Sequence, residues 1–244
     1  MQNNEIISLI SKQRFRTYEA LFVQIVPSHA TSPEERKILF YMNIQVLYSH
    51  FFVPIQVLEI TLRNRIHNAQ TDYYKTNNWF YRLLKEDYCT KKTKGMFNKS
   101  KNSAEKEIRE KNIPNKILTP EDCVGALNFG FWVELLSKEY RSSLFWQFNT
   151  NNVFPNKGKV KIGKIYDLLI KVQKIRNRLY HYEPLWQTTK KFNNIDGFCS
   201  AIEDQFSIII DLISYCSEGQ DELLEEQKIY FELAMDEFKL MYEK

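Results

Sequence analysis

The chain of 244 residues is 43% hydrophobic and 14% aromatic, enough to bury a substantial core, while only seven Gly and seven Pro argue against a turn-rich all-β fold. Its formal net charge of +4 is modest but uneven: eight basic residues stand against Asp167 alone between Lys157 and Arg178, and the segment from Glu218 onward is acidic. That asymmetry predicts a polyanion-binding face and a separate acidic face.

In chain order, Glu5 to Val26 reads as one helix, with Ile6, Leu9, Ile10, Leu21, Phe22 and Ile25 on its apolar side. Ser32-Pro33-Glu34-Glu35 has the residues of a capping box with Pro at the first helical position, and opens a helix towards Phe52. Pro54 kinks or restarts it, and a second piece runs through Leu58, Leu62 and Ile66 to about Tyr74. The apolar stretch from Ile38 to Leu62 is interrupted too often by Asn43, Gln45, His50, Gln56 and Glu59 for a membrane span, and is expected in a buried core. Trp79, Phe80 and Tyr81 form an expected core anchor. Residues from Lys91 to Asn115 read as polar and irregular at first, with a shorter helix near Ala104 to Asn112. Thr119-Pro120-Glu121-Asp122 repeats the cap pattern and predicts a helix through Leu136, in which Gly125 and Gly130 mark close helix contact or a kink. Asn149 to Gly158 reads as a loop. A helix follows over about 160–182, another from about Ile195 to Cys216, and an acidic amphipathic one over about 221–244.

Cys89, Cys123, Cys199 and Cys216 form no C-x-x-C pair and the four His do not cluster, so no metal or cofactor is expected. Reduced thiols and an opening Met-Gln-Asn-Asn-Glu unlike a signal peptide suggest the cytoplasm.

The residues that carry chemistry are at the end of the 160–182 helix, in Arg176-Asn177-Arg178-Leu179-Tyr180-His181-Tyr182-Glu183-Pro184. Arginine is permanently charged and can hold a phosphate. Histidine is the side chain that exchanges a proton near neutral pH. Asn177 and His181 are i,i+4 neighbours on one helical face, whereas Arg176 and His181 are five apart and turned away from each other. Two copies facing each other across a twofold interface would bring both groups to one cleft. The chemistry would be RNA cleavage by internal transesterification, with His181 moving a proton, Arg176 steadying the phosphate charge and Asn177 orienting either. The structural alternative is that Arg, Asn and His cap the helix and pair with the acidic tail. Tyr180, Tyr182 and Trp186 are candidates for stacking on bases, with Leu179 and Trp186 favoured as core.

Three segments in order, Val57–His67, Leu127–Ser137 and Ile175–Leu185, make the chain similar to the Abi-like (abortive infection) family, a branch of the HEPN superfamily of all-helical ribonucleases. The resemblance spans roughly residues 5 to 215. It implies a single all-helical domain over 1–244 of HEPN type with additional helices. It also implies a metal-independent endoribonuclease toxin of a bacterial phage-defence or toxin–antitoxin system, with Arg176, Asn177 and His181 as the catalytic set. Many relatives carry a second His where this chain has Tyr182, and Glu183 occupies the place of a Tyr that is modified in some of them.

Supporting or RNA-binding roles fall on Lys171, Lys174, Arg178, Tyr182 and Glu183. Arg63, Asn64 and His67 echo the motif one residue short; they are either a structural polar network or a second contribution to the site. Expected partners are RNA, as substrate and as a small non-coding antitoxin, and a second copy of the chain or an internal pseudo-dimer, with no membrane. The competing readings are a non-catalytic RNA-binding protein using the same basic face and a helical interaction module.

Overall fold

In the computed structural model, which describes residues 3–26, 33–111, 116–186, 191–217 and 224–242, every regular element is an α-helix and no strand occurs among these residues. The fold class is therefore all-α, as expected. The helices are α1 (Asn3–Ile10), α2 (Lys12–Ile25), α3 (Glu34–Ser49), α4 (Phe52–Tyr74), α5 (Trp79–Leu83), α6 (Lys91–Glu110), α7 (Pro120–Ala126), α8 (Phe129–Glu134), α9 (Leu144–Val153), α10 (Ile162–Tyr180), α11 (Ile195–Cys216) and α12 (Glu225–Tyr242).

The chain packs as two compact units. The first takes its described residues from Met1–Gln56, Ile175–Ile210 and Asp221–Lys244, the second from Val57–Lys174 and Asp211–Gln220.

The first unit has an aromatic core. Phe22 meets Phe40 edge-on at 5.1 Å between ring centroids, and Phe40 meets Tyr242 at 5.1 Å. Phe206 stacks flat on Phe231 at 4.0 Å, with Phe51 edge-on to both. Each such pair contributes about 0.5–1.5 kcal/mol beyond the burial of its area. Ser11, at φ 80°, breaks the helix expected over Glu5 to Val26 into α1 and α2. Ser32 lies outside the described residues, and α3 begins at Glu34 directly after Pro33. The break between α3 and α4 falls at His50-Phe51, so Pro54 comes in the first turn of α4, where a missing N–H leaves no helical bond unmade. The apolar stretch expected in the core does place Ile38, Phe40, Ile44, Leu47 and Phe51 there, although Leu39, Met42 and Val46 face outward.

In the second unit Trp79, Trp132 and Trp146 are fully buried. Trp146 Nε1 donates to the Leu135 carbonyl at 2.6 Å, which satisfies the one polar atom of a large buried ring. Tyr81, expected beside Trp79 and Phe80 in the core, is 42% exposed. The Lys-rich segment after Thr90 is helical from Lys91 to Glu110: the Thr90 hydroxyl caps α6 by accepting from the Thr93 amide at 3.1 Å, and Thr93, Phe97, Ser100 and Ala104 bury one stripe, while residues 112–115 lie outside the described residues. Thr119 and Asp122 form a reciprocal capping box with Pro120 at the first helical position, as read from the sequence. The helix they open ends at Ala126 instead of reaching Leu136, because Asn128 starts α8 by accepting from the Phe131 amide at 3.1 Å. Gly130 marks a close contact: a Cβ there would stand 2.6 Å from Gln173 Nε2, whereas one at Gly125 would meet open space. Residues up to Val153, expected in a loop, are the end of α9. Asn156 then accounts for carbonyls at the end of α11, its Nδ2 donating to Ser217 O at 2.8 Å.

Candidate active site at the end of helix α10

Helix α10 is sided as its sequence predicts. Ile165, Leu168, Leu169, Val172, Ile175 and Leu179 are buried, while Lys171, Lys174, Asn177 and His181 are exposed. The i,i+4 pair Asn177 and His181 therefore stands on the solvent face.

The helix stops in a defined way. The Tyr182 amide donates to Leu179 O at 3.0 Å and the Glu183 amide to Arg178 O at 2.8 Å. This is the Schellman pattern, which requires a left-handed residue just beyond the helix. Tyr182 is that residue, at φ 55°. A position usually given to Gly is here held by a large aromatic, at a conformational cost of about 1–2 kcal/mol. Pro184 follows and cannot continue the helix.

The two arginines that flank Asn177 have different fates. Arg178 turns inward to the segment that follows: its Nη1 donates to the carbonyls of Trp186 at 2.7 Å, Pro184 at 3.1 Å and Leu185 at 3.4 Å. The Leu185 amide donates to the Tyr48 hydroxyl at 3.0 Å, and burial raises the Tyr48 pKa well above the tyrosine range, so the hydroxyl stays neutral. Leu185 and Trp186 are buried, with Trp186 edge-on to Tyr18 at 5.1 Å and to Phe198 at 5.6 Å. Arg178 is thus a structural clasp on residues 184–186, and Trp186 belongs to the core rather than to a stacking surface. Arg178 therefore has a structural role, though not the expected one of capping the helix and pairing with the acidic tail.

Arg176 is half-exposed, with its guanidinium over the Tyr180 ring at 4.6 Å. Tyr180 also meets Phe52 edge-on at 5.9 Å. Tyr182 is 66% exposed. The Arg14 guanidinium of α2 lies 6.0 Å from its ring centroid. His181 and Glu183 are exposed beside it. The surface therefore presents Arg176, Asn177, His181, Tyr182 and Glu183 together with Arg14. Arg14 was not legible as part of this group, because nothing in its local sequence points to a partner so distant along the chain.

The echo segment is in the second unit. Trp79 Nε1 donates to His67 Nδ1 at 2.9 Å, and Trp79 is fully buried. Accepting at Nδ1 leaves the imidazole neutral with its proton on Nε2. Burial lowers the His67 pKa; the Glu121 carboxylate opposes it, and the Arg63 charge adds a smaller push in the direction of burial. Arg63 Nε donates to Asn64 Oδ1 at 3.3 Å. The bond to a buried Trp gives His67 a structural role, whereas Asn64 is exposed and its bond with Arg63 lies on the surface.

No protein-family model matches this chain, and no curated protein or solved structure is similar enough to it to support an assignment.

Chemically, the helix end offers an exposed amide and imidazole on one face of α10, with the half-exposed Arg176 guanidinium set over the Tyr180 ring. That set can bind a phosphodiester and move a proton on it.

Proposed function

We propose that this protein is an RNA-cleaving toxin of the HEPN class, acting in bacterial phage defence or as the toxin of a toxin–antitoxin pair. The observation that carries the reading is the split at the end of α10. The helix end is secured by Arg178 and the Tyr182 turn, while Asn177 and His181 are exposed and Arg176 is half-exposed over the Tyr180 ring.

In the proposed reaction the RNA 2′-oxygen attacks the adjacent phosphorus, the bond to the 5′-oxygen breaks, and a 2′,3′-cyclic phosphate and a 5′-hydroxyl result. His181 supplies or removes the proton that balances these steps. Arg176 neutralises charge on the non-bridging oxygens. Asn177 orients the phosphate or the imidazole. A second copy of the chain, facing the first across a twofold axis, supplies a second His181, so that one acts as base and the other as acid. The restraining partner in this reading is an RNA antitoxin or another cytoplasmic factor.

The test is cleavage of single-stranded RNA by the purified full chain in the presence of EDTA. Wild type cuts, and Arg176→Ala and His181→Ala each abolish cutting while largely keeping RNA affinity. Tight RNA binding without cutting by the wild type would instead support the non-catalytic RNA-binding reading. Its specific support is the run of exposed lysines at Lys159, Lys161, Lys164, Lys171 and Lys174, with Asp167 as the one acid among them.

A further inference from the structure

Within the second unit lies an open cavity of about 460 Å³ whose walls carry Lys92, Glu134, Ser137, Lys138, Glu139, Arg141 and Tyr166. Three cations face two carboxylates, and both carboxylates are already engaged. Glu134, 7% exposed, receives Lys92 Nζ at 2.5 Å. Glu139 accepts from Ser137 Oγ at 2.7 Å, with Lys138 Nζ 4.0 Å away, and the Ser137 bond holds its carboxyl below the usual range.

Arg141 is placed differently. Its guanidinium lies 5.9 Å from the centroid of the Tyr166 ring. It also rests against Gly163, where a Cβ would come within 2.4 Å of Nη1. An aromatic ring and a bare stretch of backbone therefore flank a planar cation that forms no ion pair among the described residues. A Cβ at 163 would push the tip of Arg141 away from its present place, whereas the backbone angles there are those of α10 and ask for no glycine. The exposed Lys161 and Lys164 are neighbours of Gly163 in the chain.

We propose that this cavity is a phosphate subsite for the RNA backbone, in which Arg141 grips a non-bridging phosphate pair with its guanidinium fork and Lys138 adds charge. The proposal rests on the RNA reading above and assigns Arg141, Tyr166 and Gly163 a positioning task separate from cutting. A polymer suits the site better than an isolated ion, because the lysines beside Gly163 continue the positive charge beyond the single phosphate that Arg141 can hold.

The test measures binding of a fluorescent 2′-O-methyl single-stranded RNA, which transesterification cannot cut, to the full chain and its variants. Arg141→Lys keeps the charge and loses the fork. Gly163→Ala keeps net charge and fork but occupies the space the guanidinium needs. Each is expected to weaken binding about tenfold, the loss of one charge-assisted contact. Arg141→Gln is expected to reduce the salt slope by about one as well. Thermal melting checks folding, and if Gly163→Ala fails to fold, Arg141→Lys alone carries the test.

Wild-type RNA affinity in Arg141→Lys and in folded Gly163→Ala would overturn the subsite and leave the RNA reading standing, since affinity would then follow net charge alone. Wild-type protein that binds no RNA would overturn both. Inorganic phosphate that binds with this Arg141 dependence while RNA does not bind would assign the cavity to a free phosphate and overturn the proposal.

Discussion

At the scale of single residues, the motif divides between two jobs. Arg178 donates to three consecutive carbonyls and clasps the chain after the helix. Arg176 is half-exposed, with its guanidinium over the Tyr180 ring. Arg178→Ala should cost about 2 kcal/mol through lost charge-assisted bonds, a fall in melting temperature of about 5 °C for a chain of this size. Arg176→Ala should cost about 0.5–1 kcal/mol and yet remove cutting. Thermal melting paired with an RNA-cleavage assay separates the two. Equal destabilisation by both changes would contradict the division.

Tyr182 is a second informative residue. Its left-handed backbone is strained, and such strain in a side chain left exposed beside reactive groups points to use of the side chain. Tyr182→Gly should raise stability in urea denaturation by a few tenths to about 1 kcal/mol, while lowering RNA affinity. A glycine variant that is no more stable would show that the Arg14 contact already offsets the strain.

Elements carry the next level. His67 on α4 accepts from Trp79 on α5, a bond that only the neutral imidazole can make through Nδ1. Its pKa in the folded protein lies below the ordinary 6.5. Between the two values the unfolded chain holds the proton and the folded chain does not. Stability is then complete above about pH 6.5 and falls as pH drops through the window towards the folded value. Burial shifts His50 in the same direction. Urea denaturation between pH 7.5 and 5 should show this slope, made shallower by His67→Gln, which keeps an acceptor for Trp79 but no titration (pH values on the order of the ordinary histidine range). An unchanged slope in His67→Gln would contradict the assignment.

The same elements show what local sequence can and cannot carry. The Thr119/Asp122 box, the bounds of α11 and the stop of α10 before Pro184 were legible because each depends on residues a few positions apart. The start of α6 at Lys91 was not, because its Lys, Ser and Asn residues read as irregular. Burial of Phe97 and Ala104 on one stripe, with a cap from Thr90, outweighs that weak preference. The break at Ser11 and the helical residues 149–153 likewise follow from packing beyond the local window. At the site, the outward face of Asn177 and His181 followed from helical spacing, whereas the inward turn of Arg178 depends on where residues 184–186 return.

For the whole molecule, the relevant quantity is where its charge goes. A net charge of +4 would steer RNA only weakly if spread evenly. Five exposed lysines lie between Lys159 and Lys174 with Asp167 as the one acid among them, in the helix that ends in the motif and the turn before it, and further exposed lysines lie on α6. Binding should therefore fall steeply with salt, while the chemical step depends on two side chains. In the proposed reaction the ribose 2′-oxygen is the nucleophile, with Arg176 and His181 serving its attack. The most direct measurement compares a single-stranded RNA with the same strand carrying 2′-deoxyriboses, both incubated with the full chain in EDTA, and reads the ends of the products. Cutting confined to the RNA, with 2′,3′-cyclic phosphate and 5′-hydroxyl ends, is the predicted result. Cutting of both strands, or products ending in 3′-hydroxyl and 5′-phosphate, would contradict it.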